Sequence, residues 1–510
     1  MKDFNKDFNI QIKQIMIEQT HALAILATCL LLGLLGAILF NSHYWGINIT
    51  LFGLLLAGSF LLLRHLDHHP ISLPEYALVA SGLFFTLTFA WRDSLVLNSL
   101  SLLGILLTAH LAFTLGTRQK LPRIEVSEAF LDFFLLTRHS LTSYHGLIYQ
   151  DIHWPDVQQR WGQLGRAIVR GVIIAIPLLI GFAFLLMESD ARFEEKVRYF
   201  LHWDLNAKTV LQYVITLILC SWIAAAVLRG NLSDQSLGSA YQDTPQNRLP
   251  LPTWGLGCVE IGIILGAINL LFLAFLAVQF TYYFGGDALV QSLEGPTYAD
   301  YARRGFFQLV MVALCVMTLL LFIHWLYKPY HRFEKRLYQS LAGVMIVMTL
   351  IIEASAAHRM YLYTREYGLT ELRLYSSVFM VWLGVLFLWF SVTVLREYRT
   401  LFTFGAILTA LFFIGLLHIA NPDAWIAEIN LIRLQAGKQF DVDYLSKLSA
   451  DAIPTLVQER PEVPIAYHCQ LWEELQYHPV LKASTDWRDF NLARYQGREL
   501  LSQKYLLSCE

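Results

Sequence analysis

The sequence predicts an all-α fold: a polytopic transmembrane helical bundle of about eleven spans, followed by a small helical C-terminal domain. Three observations predict it. Of the 510 residues, 56% are hydrophobic and only 15% are charged, whereas a soluble domain carries about 25% charge. Aromatic residues make up 14% of the chain, which suits lipid-facing surfaces with interfacial belts. The apolar residues also fall into separate runs of about 20, the length at which a helix crosses hydrocarbon with its backbone groups satisfied.

Residues 1–20 are polar, contain Lys2, Lys6 and Lys13, and lack the small-residue cleavage site of a removable leader, so they read as a cytoplasmic tail. The bundle occupies 21–419, with spans expected near 21–40, 46–63, 76–91, 95–115, 168–187, 209–228, 258–282, 306–326, 340–358, 376–395 and 402–419. The third run is short and forms a hairpin with the fourth around Arg92 and Asp93; a re-entrant pair there would remove two crossings and leave every later side unchanged. The connection 116–167 contains an amphipathic stretch, Ser127 to Leu136, suited to a helix lying in the membrane interface. Residues 420–510 form the soluble domain. Asn421-Pro422-Asp423 is a helix start, and Ser449 to Leu456 and Ser484 to Leu507 read as further helices.

Lys and Arg set the orientation, because short cytoplasmic loops retain them. Connections on the side of the N-terminus hold about twice as many as those on the other side. The expectation is therefore a multi-pass membrane protein with its N-terminus on the cytoplasmic side and its C-terminal domain extracytoplasmic. The net charge of −2 argues against a nucleic-acid partner. The expected partners are membrane lipids and another membrane or periplasmic protein. No phosphate-cradling glycine loop, zinc helix motif or nucleophile elbow occurs, so no cofactor is expected. His65, Asp67, His68 and His69 form a compact cluster, but adjacent histidines before Pro70 lack the i, i+4 spacing of a helical metal site, and no metal is expected there.

The densest polar strings all fall on the expected outer face. They are Arg92 to Asn98, Glu188 to Lys196, Thr297 to Phe307, Glu353 to Tyr375, and in the tail Asn421 to Asn430 and Phe440 to Pro454. The arginines Arg92, Arg303, Arg304, Arg359, Arg365 and Arg373 are candidates for clamping an anionic group, since guanidinium binds carboxylate or phosphate in bidentate fashion. Each could equally snorkel to headgroups or pair with a nearby acid such as Asp300. Asp93, Tyr298, Asn430, Asp441 and Asp451 complete the candidate binding or docking set. Glu353 stands out because it sits inside span nine among Ala354, Ser355, Ala356 and Ala357. A charge within a span is costly and usually faces a cavity or partner, and small neighbours let another helix approach; the alternative is an interfacial carboxylate that meets a headgroup or water. Cys469 and Cys509 both fall in the tail, where an oxidising compartment would allow a disulfide. No catalytic residue can be assigned.

The strings TYADYARRGFF, ASAAHRMYLYTREYGLTELRLY and NPDAWIAEINLIRL followed by DVDYLSKLSADAIPTL resemble those of a family of bacterial multi-spanning membrane proteins of unknown function (the domain of unknown function 4153/4173 class). The resemblance covers roughly residues 80–510. It implies a bacterial cytoplasmic-membrane location and no known activity. Three functional readings stay open: a non-enzymatic sensing, assembly or docking module using its outer face; a transporter or lipid-handling protein with Glu353 in a polar cavity; and a membrane enzyme acting on a lipid-linked substrate. The first predicts that Asp441, Asp443 or Asp451 pairs with the outer arginines and that no deep cavity lies between the spans.

Overall fold

The computed structural model describes residues 2–42, 44–66, 71–118, 126–152, 171, 175, 186, 207–232, 257–284, 306–327, 331–458, 464–482 and 486–502. The chain is an all-α polytopic bundle. Ten helices among the described residues are long and apolar enough to cross a bilayer. In chain order the long helices are α1 (Lys2–Leu39), α2 (Ile47–Leu66), α3 (Leu73–Trp91), α4 (Leu95–Arg118), α5 (Val126–Gly146), α6 (Ala207–Leu232), α7 (Cys258–Phe284), α8 (Phe306–Leu326), α9 (Arg332–Tyr367), α10 (Glu371–Thr393) and α11 (Arg399–Ala420). All but α5 carry a spanning segment. The expected run at 168–187 lies almost entirely outside the described residues. After the bundle come α12 (Pro422–Gln435), α13 (Val442–Ser446), α14 (Ile453–Val457), α15 (Ile465–Leu475) and α16 (Leu492–Ser502), with single 3₁₀ turns at Ala450–Ala452, Pro479–Lys482 and Trp487–Asp489.

The chain divides into two compact units, residues 1–79 with 135–237, and residues 80–134 with 238–510. In the first unit, α1 packs on α6 through small residues. Gly33 lies against Ser221 and the Leu217 carbonyl, Gly36 lies against Cys220, and Ala224 and Ala225 are fully buried. Without a hydrophobic drive between helices in lipid, close backbone approach of this kind supplies the contact. Arg229 is buried and holds Asp151 in a bidentate pair (2.5 and 3.0 Å), its guanidinium filling the space left by Gly146. The helix α5 is longer than its amphipathic segment suggested. Phe130, Phe133 and Phe134 share one exposed flank of it, a stripe that suits an interfacial helix.

In the second unit, α7, α8, α9 and α10 share one apolar core around Leu265, Leu320, Met345 and Phe387. Helix α9 is much longer than the apolar run at 340–358, because Arg359 to Tyr367 continue the helix without continuing its hydropathy. Gly368 ends it at φ +84°, a left-handed backbone that favours glycine. The C-terminal helices have a core of their own, formed by Ile426, Leu445, Ile453, Leu456, Leu471 and Leu475. Leu369, from the α9–α10 turn, and Leu374, from the first turn of α10, join that core. Helix α15, whose Tyr467, Leu471 and Leu475 recur at helical spacing, is not among the helices expected from the sequence. Within the expected helix at Ser484 to Leu507, the described residues form a 3₁₀ turn at Trp487–Asp489 and then α16, with a non-helical break between them at Phe490 and Asn491; 484–485 and 503–507 lie outside the described residues.

Candidate functional site

The C-terminal domain meets the second unit's bundle at two turns, and the candidate residues concentrate there. The first turn is Arg92-Asp93-Ser94, between α3 and α4. Helix α3 stops where its apolar run meets these three polar residues. The buried Arg92 guanidinium stacks on Trp91 (4.3 Å to the ring centroid), donates through Nε to the His418 carbonyl (2.9 Å) and through Nη1 to Asp451 Oδ1 (3.2 Å). The second carboxylate oxygen of Asp451 accepts the backbone N–H groups of Asp93 (2.7 Å) and Ser94 (3.2 Å). Asp451 is thus held by a cation and two amides that have no helical acceptor, the kind of charge-assisted set that makes a buried carboxylate tenable.

Further bonds close around this pair. The Asp93 carboxylate accepts the Ala450 N–H (3.4 Å) and pairs with Arg494 (3.5 Å). Burial pushes its pKa above the usual carboxylate range, with the Arg494 charge opposing that shift. Asn491 donates to the carbonyls of Phe89 and Arg92, both at 2.8 Å, and so satisfies acceptors at the C-terminal end of α3. Asn421, in a left-handed conformation at the end of α11, donates to the Asp451 carbonyl (3.4 Å). Beneath Arg92, the fully buried His418 joins the polar thread Thr88–Ser101–His418 through Ser101 (2.8 Å).

Asp423 is the anomaly of this region. It is buried, and its Oδ2 accepts the Ser449 hydroxyl, while its Oδ1 has no hydrogen-bond partner among the described residues. The same Ser449 oxygen lies 3.3 Å from Asp451 Oδ2, so one hydroxyl proton serves two carboxylates. Burial, opposed by the Ser449 bond and aided by the nearby Glu371 and Asp451 charges, pushes Asp423 up to about 6. The folded domain therefore holds a proton that the unfolded chain releases near 3.8. Its contribution is fully present below that value and is lost as pH rises through about 6. Asp423→Asn should accordingly stabilise the domain at pH 7.5 by about 1–3 kcal/mol and leave it unchanged near pH 4. Thermal unfolding followed across that range checks the expectation.

The second turn joins α9 to α10. The missing side chain of Gly368 leaves room for Asn430 and for Arg433, whose Nη1 lies 2.5 Å from where a Cβ would stand. Asn430 donates to the Leu369 carbonyl (2.8 Å), Arg433 donates to the carbonyls of Arg365 (3.2 Å) and Glu366 (2.6 Å), and the Glu371 N–H donates to the Tyr444 hydroxyl (2.8 Å). Arg373 caps the Gly368 carbonyl and stacks on Tyr363 (4.0 Å).

The candidate residues therefore sort into groups. Arg92, Asp93 and Asp451 meet at the first turn. Arg365, Arg373 and Asn430 meet at the second, with Arg365 contributing a carbonyl. Asp441 caps α13 by accepting the Tyr444 N–H (3.0 Å), and Asp443 pairs with the exposed Lys447. Arg359 is buried on α9. Glu353 is buried on the same helix, faces Gly384 of α10, and has no hydrogen-bond partner at Oε1 among the described residues. It lies roughly 21 Å before the end of α9, deeper within that helix than the apolar run alone implies. Tyr298, Asp300, Arg303, Arg304 and Cys509 lie outside the described residues. Cys469 is disulfide-bonded, while Cys29, Cys220, Cys258 and Cys315 are free. The sequence reading missed His418, Asp423, Ser449, Asn491, Arg494 and Tyr444 as members of these junctions. Asn-Pro-Asp marks Asp423 as a helix start, Ser449 opens another expected helix and Tyr444 falls in the Phe440 to Pro454 string, but nothing local marks His418, Asn491 or Arg494.

A cavity of about 210 Å³ borders the Arg92–Asp451 pair, lined by Trp91, Asn421, Pro454, Thr455 and Leu492 among others. Among the described residues no three His, Cys, Asp or Glu side chains are placed to hold a metal ion. A family model described as a domain of unknown function, DUF4153, matches residues 79–459. The matched stretch takes in both turns and Asp451, and stops short of Asn491 and Arg494. No curated protein and no solved structure matches the chain.

Proposed function

The chain belongs to the DUF4153 family, and from that premise we propose that it is a non-enzymatic sensing, assembly or docking module working from the outer face of a bacterial inner membrane. One observation carries this reading. The candidate residues of the first turn are engaged inside the chain: Arg92 with Asp451, and Asp93 with Arg494 and Ala450. Such bonds fix the C-terminal domain on the ends of the spans, as a module that presents a surface requires. The Lys and Arg bias between connections supports placing that surface outside.

A second reading, a transporter or lipid-handling protein, draws on Glu353, because a buried acid with an open oxygen inside a span suits a site for a proton or ligand. Complementation of a deletion strain separates the two. The module reading expects Asp451→Asn to lose function and Glu353→Gln to keep it at normal membrane levels. The opposite pattern would favour the transporter.

A further inference from the structure

We propose that the C-terminal domain is partly sunk into the bilayer, resting on the headgroup–acyl boundary through an aromatic rim made of Trp487, Phe490 and Tyr495. The rim's level is set by Asn491, which sits within it and is bonded at 2.8 Å to the carbonyls of Phe89 and Arg92. Those carbonyls belong to the last turn of α3 and the residue just after it, where a spanning helix ends. Across the turn, Leu95 opens the spanning helix α4 and is 79% exposed. Residues flanking Asn491 are therefore placed at the height where two spans leave the hydrocarbon.

Trp487 is 62% exposed and Tyr495 is 56% exposed, and Phe490 and Tyr495 have ring centroids 6.0 Å apart. Large aromatics with one apolar face and one polar tip are most favourably placed at this boundary, where both ends are satisfied. The neighbouring charges set the kind of lipid contact. Arg488 is paired with Asp486 (2.5 Å), and Arg494 with Asp93 (3.5 Å). With these guanidinium groups engaged by carboxylates, the contact is apolar insertion and not recognition of anionic headgroups.

Spin labels test this in liposomes of phosphatidylcholine, with and without phosphatidylglycerol. They are introduced by W487C, F490C, Y495C and, as the comparison position outside the rim, Y477C at a residue 79% exposed. The background carries Cys258→Ala and Cys315→Ala, the free thiols that are not buried. Collision with oxygen, which partitions into lipid, is compared with collision with a water-soluble nickel chelate. The oxygen-to-chelate ratio at the three rim positions should exceed that at Y477C by at least about threefold in both lipid mixtures. Equal ratios at all four positions would overturn the proposal in favour of a solvated surface. Low collision with both reagents would overturn it in favour of a rim buried against protein, and a rise confined to the anionic mixture would contradict the apolar mode. An independent check uses the intact side chain: brominated lipids should quench the wild type more than W487F, and equal quenching would count against the rim.

Discussion

Asp451→Ala is expected to destabilise the junction between the C-terminal domain and the α3–α4 turn by about 3–5 kcal/mol, the cost of removing one partner of a buried ion pair. The loss is large because three donors are stranded together. Arg92 remains buried with a charge and no carboxylate, and the Asp93 and Ser94 N–H groups lose their acceptor. Asp451→Asn keeps one acceptor oxygen and should fall between the alanine variant and the wild type. Glu366→Ala, which breaks the exposed Lys438–Glu366 pair (3.0 Å), should change stability by less than about 0.5 kcal/mol. Thermal unfolding of the detergent-solubilised protein, together with protease sensitivity of residues 420–502, orders the three.

Gly33→Leu should damage the first unit about as severely as the Asp451 change damages the second. A Cβ at Gly33 would stand 2.8 Å from the Leu217 carbonyl oxygen and closer still to Ser221. The obstacle is partly backbone, so no rotamer change relieves it, and α1 and α6 must separate. Overpacking of a well-packed contact costs typically 1–3 kcal/mol, and the gap opened between the helices adds to that. Gly58→Leu in α2 is the control, because nothing lies within 4 Å of its added Cβ. Membrane levels and thermal stability should fall for Gly33→Leu and stay near wild type for Gly58→Leu.

The spanning helices were legible in sequence because hydrocarbon selects for long apolar runs regardless of what surrounds them. Their ends were less so. Helix α9 was read as ending near 358, where hydropathy stops, yet backbone hydrogen bonding runs on until Gly368. The polar strings were legible as strings, and the first functional reading anticipated an acid of the tail pairing with an outer arginine. Which acid could not be read. Asp441, Asp443 and Asp451 look alike in sequence, but one caps its own short helix, one meets Lys447, and one reaches Arg92 across more than three hundred residues of chain. Asn491 and His418 gave no local sign, because their roles consist of satisfying carbonyls and hydroxyls that only the folded chain brings near.

Hydrogen–deuterium exchange tests most directly whether the α3–α4 turn and the C-terminal domain form one cooperative unit through the Arg92–Asp451 pair. The wild type should show slow exchange at the Asp93 and Ser94 amides, and Arg92→Ala should accelerate exchange in residues 92–95 and 449–453 together. Fast exchange at those two amides in the wild type, or an Arg92→Ala effect confined to the 92–95 segment, would contradict it.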